Sequence, residues 1–108
     1  MIPKPPFASD LTLEQGYAAA RLTALATLGS LQRALGDLDR ISAWGRVFGM
    51  VNSAPGFNRH PAVINGCSEL WREVFGDDGV GTRSAVGMGS LPSNIAVEIE
   101  AIFELHAD

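Results

Sequence analysis

The C-terminal part of the chain places an arginine and three glutamates on two short predicted strands. Arg83 opens the first strand, and a turn at Leu91-Pro92 leads into the second, in which every other residue is apolar. A period of two puts the apolar side chains on one face and Glu98, Glu100 and Glu104 on the other. A guanidinium offers a planar, permanently charged fork to two oxygens. Taken singly, such an arginine is usually surface-exposed or ion-paired, and such glutamates are usually solvated.

Length and composition indicate one ordinary globular domain. The 108 residues are 46% hydrophobic and 19% charged, which is enough apolar material for one core and argues against wholesale disorder. No run of apolar residues is long enough to span a membrane, and the prolines near the N-terminus oppose a signal peptide. We therefore expect a soluble cytoplasmic protein without a membrane partner.

Charge and cysteine content exclude several classes of function. The net charge is −4 and the eight basic residues are scattered, so the sequence lacks the basic cluster typical of nucleic-acid binding. Cys67 is the single cysteine and lies on a predicted apolar helix face, where a buried small side chain is the simplest interpretation. His60 and His106 have no metal-ligand spacing. We expect no metal and no organic cofactor.

The first half of the chain predicts a helix followed by a strand. Thr12 and Gln15 fit a capping box, and Gly36 fits the position after the last turn. The apolar residues expected on the buried face of this helix are Ala18, Leu22, Leu25, Leu28, Leu31 and Leu35. From Ile41 to Val51 the period changes to that of a strand, with Trp44, Phe48 and Met50 on the face opposite Val47.

The second half predicts a helix from Pro61 to Phe75 and then the two terminal strands. The strand–helix–strand unit should cross over right-handed and pair in parallel. The last two strands, joined by a short turn, should be antiparallel neighbours. Both helices would cover one sheet face and leave Trp44, Phe48, Met50 and Ile102 near water on the other. An open apolar face of this kind predicts self-association.

The string RSAV, then LP, then VEIEAI resembles the C-terminal signature of the Rid/YjgF family of imine deaminases, some of which carry the description endoribonuclease L-PSP. The segments VNSAPGF and VING point to a less characterised branch of that family. The resemblance implies an α+β, chorismate-mutase-like fold, with two helices packed on one face of the sheet. It also implies a homotrimer with a substrate cleft at each subunit boundary.

Three residues match family positions individually. Arg83 matches the arginine that binds the substrate carboxylate, and Glu98 matches the glutamate that orients or activates the attacking water. Asn65 matches an asparagine of the cleft wall, although a helix-surface role is the plainer interpretation. The resemblance thus predicts Arg83 and Glu98 as catalytic residues and Arg83 and Asn65 as substrate-binding residues.

The N-terminal part departs from the family pattern. Family chains normally begin with a strand pair carrying an SGQ-type segment, which is missing here. We interpret residues 1–10 as an extended lead and residues 11–108 as a single domain of this family, truncated at its N-terminal side.

The resemblance implies hydrolysis of small 2-imino or enamine acids to 2-keto acids and ammonia. The alternative is a non-catalytic module of the same fold that binds a small carboxylate-bearing metabolite. RNA cleavage ranks last because the acidic chain offers few positive charges to bind RNA phosphates.

Overall fold

The computed structural model describes residues 12–107 as two helices packed on one face of a three-stranded sheet. The elements in chain order are α1 (Leu13–Leu35), β1 (Ile41–Asn52), α2 (His60–Phe75), β2 (Thr82–Met88) and β3 (Val97–Leu105). This order and the α+β class confirm the sequence prediction. The predicted extended lead at residues 1–10 lies outside the described residues. No helix of the described chain is both long and apolar enough to cross a membrane.

Helix α1 begins and ends at the residues that the sequence predicts. The Thr12 hydroxyl accepts a hydrogen bond from the Gln15 amide, and the Gln15 side chain accepts one from the Thr12 amide. Gly36 stops the helix with φ 86°, a conformation that suits a residue without Cβ. These contacts satisfy backbone groups that a helix end otherwise leaves unpaired.

The sheet order is β2-β1-β3, which makes β1 the central strand. Strand β1 pairs in parallel with β2, as predicted, and antiparallel with β3. The prediction that β2 and β3 are neighbours is wrong. Their connection contains a 3-10 turn at Pro92–Asn94 and passes the end of β1, where the Asn52 amide donates to the Ala96 carbonyl. The most apolar strand thereby gains a partner on each edge.

The predicted buried face of α1 is also wrong in its first half. Leu22 is 68% exposed and Leu25 is 48% exposed, whereas Ala20 and Ala24 are fully buried. The reason is the close approach of α2. A Cβ added to Gly66 would lie 2.1 Å from the carbonyl oxygen of Tyr17 in α1. Such proximity requires the small residues of α1, and not its leucines, to face α2.

Strand β1 carries two irregularities that change which side chains face the helices. Register shifts lie between Ile41 and Ala43 and between Trp44 and Arg46. An extra residue in a strand inverts the alternation that follows it. Trp44 consequently lies on the helix-covered face, 3% exposed, with its ring stacked on Trp71 at a centroid distance of 4.0 Å. Its predicted place on the open face is wrong.

The open face is consequently less apolar than the sequence predicts. Ile102 is 63% exposed there, and Phe48 is half-buried. Met50 is only 8% exposed because it lies on the central strand, paired with Val86 on one side and Glu98 on the other. The apolar surface left to water on this face therefore includes Ile102, Phe48 and the half-buried Val86.

Candidate functional site at the edge of strand β2

Arg83 lies at the start of the edge strand β2 and is anchored to helix α2. Its Nη1 donates hydrogen bonds to Asn65 Oδ1 at 2.8 Å and to Ser68 Oγ at 3.0 Å. Asn65 and Ser68 are three residues apart on α2, so they project from the same helix face. The structure thus brings Arg83 and Asn65 together, as the resemblance implies. It adds Ser68, which the sequence did not single out.

The β1–α2–β2 crossover explains why this arginine reaches α2. Arg83 pairs with Val47 of β1, which is buried in the core beneath the helices. Directly paired residues of neighbouring strands point to the same sheet face. Arg83 therefore points toward the helical layer, and its position on the edge strand keeps it exposed.

A cavity of about 280 Å³ adjoins Arg83. It lies between α2, the turn after it and the first residues of β2. Its lining residues are Val47, Asn65, Ser68, Glu69, Trp71, Arg72, Gly79, Val80, Gly81 and Arg83. Arg72 forms an ion pair with Asp77, at 3.2 Å, whereas Arg83 is held by neutral acceptors, so Arg83 offers its positive charge to a ligand on a chain that is acidic overall. A volume near the lower end of ligand pockets suits a small metabolite with an anionic group.

A hydrogen bond and an ion pair connect one wall of this cavity to α1. The Tyr17 hydroxyl donates to Glu69 Oε1 at 2.5 Å, and this hydrogen bond raises the pKa of Tyr17 above its ordinary value. Arg21 and Glu73 form an ion pair along the same interface, at 3.1 Å. These contacts hold Glu69 toward α1, which limits its competition for Arg83.

Glu98 lies on the other face of the sheet. It pairs with Met50, whereas Arg83 pairs with Val47, the residue three positions earlier on β1. Two strand spacings separate β2 from β3, which is about 10 Å, and three residues along the strand add about 10 Å more. Within residues 12–107 the Glu98 carboxylate has no ion-pair partner. One chain therefore does not bring Arg83 and Glu98 together.

Cys67 is buried behind Arg83 and is a poor nucleophile. Its side chain is fully buried, which confirms the expected core role. Burial raises the pKa of the thiol to about 12, and the positive charge of Arg83 offsets only part of that effect. The reactive thiolate is thus rare at neutral pH. The described residues contain no group of three or more side chains suited to hold a metal ion.

Comparison with known proteins relates the chain to proteins that share this fold. A curated Trypanosoma cruzi protein, "Protein TCP17", is 43% identical over 99 residues, which are 91% of this chain and 62% of that protein. The chain thus spans less than two thirds of that relative's length.

Two crystal structures superpose closely. Protein Atu1372 of unknown function from Agrobacterium tumefaciens has a TM-score of 0.92 at 39% identity, covering 95% of this chain and 67% of that one. A "putative endoribonuclease" from Shewanella oneidensis MR-1 has a TM-score of 0.89 at 30% identity, covering 97% and 69%. Residues 3–105 match the family described as "YjgF/chorismate_mutase-like, putative endoribonuclease". The chain therefore belongs to the YjgF/chorismate mutase-like family.

Proposed function

We propose that this protein hydrolyses small 2-imino or enamine acids to 2-keto acids and ammonia, with Arg83 binding the substrate carboxylate. The observation that supports the proposal is the anchoring of Arg83 by Asn65 and Ser68 beside a cavity of metabolite size. Nη1 donates both hydrogen bonds. The two acceptors therefore orient the guanidinium without using its other N–H groups. A carboxylate can then bind through the remaining N–H groups.

The hydrolysis itself needs a positioned water and a proton carrier. Water adds its oxygen to the imine carbon, and the imine nitrogen gains a proton as the C=N double bond becomes single. The resulting carbinolamine loses ammonia as its hydroxyl becomes the carbonyl of the keto acid. In this proposal the Glu98 carboxylate accepts the proton of the attacking water and returns it to the departing nitrogen. General acid–base assistance of this kind contributes about 100- to 10,000-fold in rate.

Glu98 would come from a second copy of the chain. Arg83 and Glu98 lie on opposite faces of one sheet, and they can meet only if the β2 edge of one copy lies beside the open face of the next. The exposed Ile102 and half-buried Phe48 on that open face give such an assembly apolar surface to cover. We propose a homotrimer with a shared cleft at each boundary, the assembly that the family resemblance implies.

The test follows the decay of 2-iminobutyrate with and without the protein. Arg83→Ala should lower the rate by roughly 10- to 1000-fold, and Glu98→Gln should lower it by about 100- to 10,000-fold. Arg33→Ala, which removes the same charge from the end of α1, should not lower it. Unchanged decay in the presence of the wild-type protein would refute the catalytic proposal.

A mixing experiment tests the shared cleft separately. Co-refolding Arg83→Ala with Glu98→Gln chains creates some boundaries that contain both wild-type residues. Activity should then exceed that of either variant alone. If both variants assemble with each other but no activity returns, the two residues do not act across a boundary.

A non-catalytic carboxylate-binding module is the second candidate. The separation of Glu98 from Arg83 within one chain favours it, because Arg83 and its two anchors are complete without Glu98. A thermal-shift series with 2-ketobutyrate distinguishes the two candidates. Stabilisation that depends on Arg83, without turnover of 2-iminobutyrate, would favour binding alone.

RNA cleavage is the third candidate, and the family description and the name of the Shewanella relative motivate it. The net charge of −4 gives RNA phosphates little attraction. Cleavage of RNA that survives repurification and disappears in Arg83→Ala would make RNA cleavage the favoured function.

A further inference from the structure

A serine and a histidine meet at the opposite end of the β1–α2–β2 unit from Arg83. Ser53 follows the last residue of β1, and His60 is the first residue of α2. Ser53 Oγ lies 3.2 Å from His60 Nε2. This distance is within the range of a nucleophile and its general base. Neither residue takes part in the proposed imine chemistry.

Strand β2 leaves space for the Ser53–His60 contact because residue 87 is a glycine. Gly87 pairs with Val51 and passes beside both side chains. A Cβ at Gly87 would lie 2.5 Å from His60 Nε2 and 2.6 Å from Ser53 Oγ. Any larger residue would therefore push the serine and the histidine apart. The glycine is a steric requirement of the Ser53–His60 contact.

The pair opens into a second cavity, with a volume of about 560 Å³. Its lining residues are Asn52, Ser53, Ala54, Pro55, Phe57, His60, Gly87, Met88, Gly89 and Asn94. The His60 ring meets the Phe57 ring edge-on, with centroids 5.1 Å apart, which restricts its rotation. Gly87 is four residues beyond Arg83 on β2, about 13 Å along the strand. The two cavities are thus separate, and their lining residues do not overlap.

Helix α2 adds a positive electrostatic contribution to this cavity. The helix begins at His60, and no side chain of the described residues caps it. The first N–H groups of a helix have no partner within it, and the helix dipole makes that end partly positive. Pro61 has no N–H, so His60 and Ala62 carry the first two N–H groups of the helix. Donors at a helix N-terminus can stabilise an oxyanion that develops beside them.

We propose that Ser53 and His60 are a catalytic pair that hydrolyses small carboxylic esters in this cavity. Ser53 Oγ bonds to the ester carbonyl carbon and its proton passes to His60 Nε2. The C–O bond to the alcohol breaks and the alcohol leaves with the proton from His60. Water then attacks the acyl-serine, giving its proton to His60, which returns it to Ser53 as the carboxylic acid departs. Water is the only co-reactant.

The test uses a small alkyl fluorophosphonate, whose fluoride a reactive serine displaces to give a stable adduct. Intact-mass analysis of the wild-type protein should show one adduct, which peptide mapping places on Ser53. Ser53→Ala should show no adduct. His60→Gln should label at least about 100-fold more slowly, since it removes the base. Hydrolysis of p-nitrophenyl acetate should fall in parallel.

Two glycine variants provide a matched comparison. Gly87→Ala should abolish labelling, because its Cβ would occupy the space between Ser53 and His60. Gly29→Ala should label like the wild type, since Gly29 lies outside the cavity and a Cβ there meets only the end of the Arg33 side chain, at 3.6 Å. No adduct on the wild-type protein, an adduct on another residue, or equal labelling of His60→Gln would each overturn the proposal. All of these outcomes are independent of imine hydrolysis at Arg83.

Discussion

Arg83 donates to Asn65 Oδ1 from the same nitrogen that donates to Ser68 Oγ, so helix α2 fixes a guanidinium that belongs to strand β2. A neutral acceptor such as the asparagine amide orients the arginine without cancelling its charge. The identity of residue 65 should therefore control how well Arg83 binds an external carboxylate.

Asn65→Asp should weaken the binding of 2-ketobutyrate. A carboxylate at this position would lie near 2.8 Å from Arg83 Nη1 and would compete with the ligand for the guanidinium. We expect a rise in Kd of roughly 3- to 30-fold, measured by calorimetry. Asn58→Asp makes the same change of charge at an exposed loop residue and should leave Kd unchanged. Equal affinity of Asn65→Asp and the wild type would contradict a role of Arg83 in binding.

Gly66→Ala should destabilise the protein by about 1–3 kcal/mol, because the new Cβ would collide with the backbone of α1 at Tyr17. Gly29→Ala is the control, since a Cβ there meets only the flexible end of Arg33 at 3.6 Å. This second variant should stabilise the protein by about 0.5–1 kcal/mol, as alanine favours a helix over glycine. Chemical denaturation of both variants measures the two free energies of unfolding. Shifts of the same sign would show that Gly66 does not limit the approach of the helices.

Cys67 should make the stability fall as the solution becomes alkaline. Burial raises the pKa of the folded thiol from an ordinary value of 9.0 to about 12. The unfolded chain therefore loses this proton first, so the stabilising contribution is present below about pH 9 and is lost as the pH rises toward 12. Between about pH 8 and pH 10, the free energy of unfolding should fall more steeply in the wild type than in Cys67→Ala.

The comparison with Cys67→Ala also removes the effect of Tyr17, whose raised pKa acts in the same direction in both proteins. Parallel pH profiles of the two proteins would mean that Cys67 does not titrate differently on unfolding. Alkylation of Cys67 near neutral pH should likewise require unfolding, since the thiol is fully buried.

The stacked indoles predict an unequal response to two substitutions at one position. Trp71 is fully buried against Trp44, and neither indole N–H has a hydrogen-bond partner among the described residues. Trp71→Ala should cost about 3–5 kcal/mol. Trp71→Phe should cost less than about 2 kcal/mol, because it keeps a ring and removes an unpaired buried donor. Denaturant midpoints measure both, and equal losses would show that a retained ring does not preserve the packing against Trp44.

Local sequence signals predicted the elements well because each depends on neighbouring residues. Thr12 and Gln15 define the start of α1, and Gly36 defines its end, as the structure confirms. The second helix begins one residue earlier than predicted, at His60. Parallel pairing of β1 and β2, predicted from the strand–helix–strand order, is confirmed.

What the sequence did not predict depends on contacts between distant segments. The choice of the alanine face of α1 follows from Gly66, a residue of the other helix. Trp44 lies on the helix-covered face because of register shifts against β3, and the periodicity of the sequence does not show these shifts. Ser68 and the Ser53–His60 pair are ordinary polar residues in sequence, and only the fold shows which side chains they meet.

The central position of β1 has a consequence for how the chain folds. Arg46 of β1 pairs with Thr82, and Ile41 of β1 pairs with Leu105. Both edges of the most apolar strand therefore depend on partners that lie far along the chain. Distant pairings carry a large loop-closure cost, which slows folding relative to helical proteins of similar size. Because helical contacts are local, we expect the two helices to form before β1 finds its partners. Partly folded chains should thus expose β1, and its unpaired backbone is the segment most prone to aggregation before the native sheet closes.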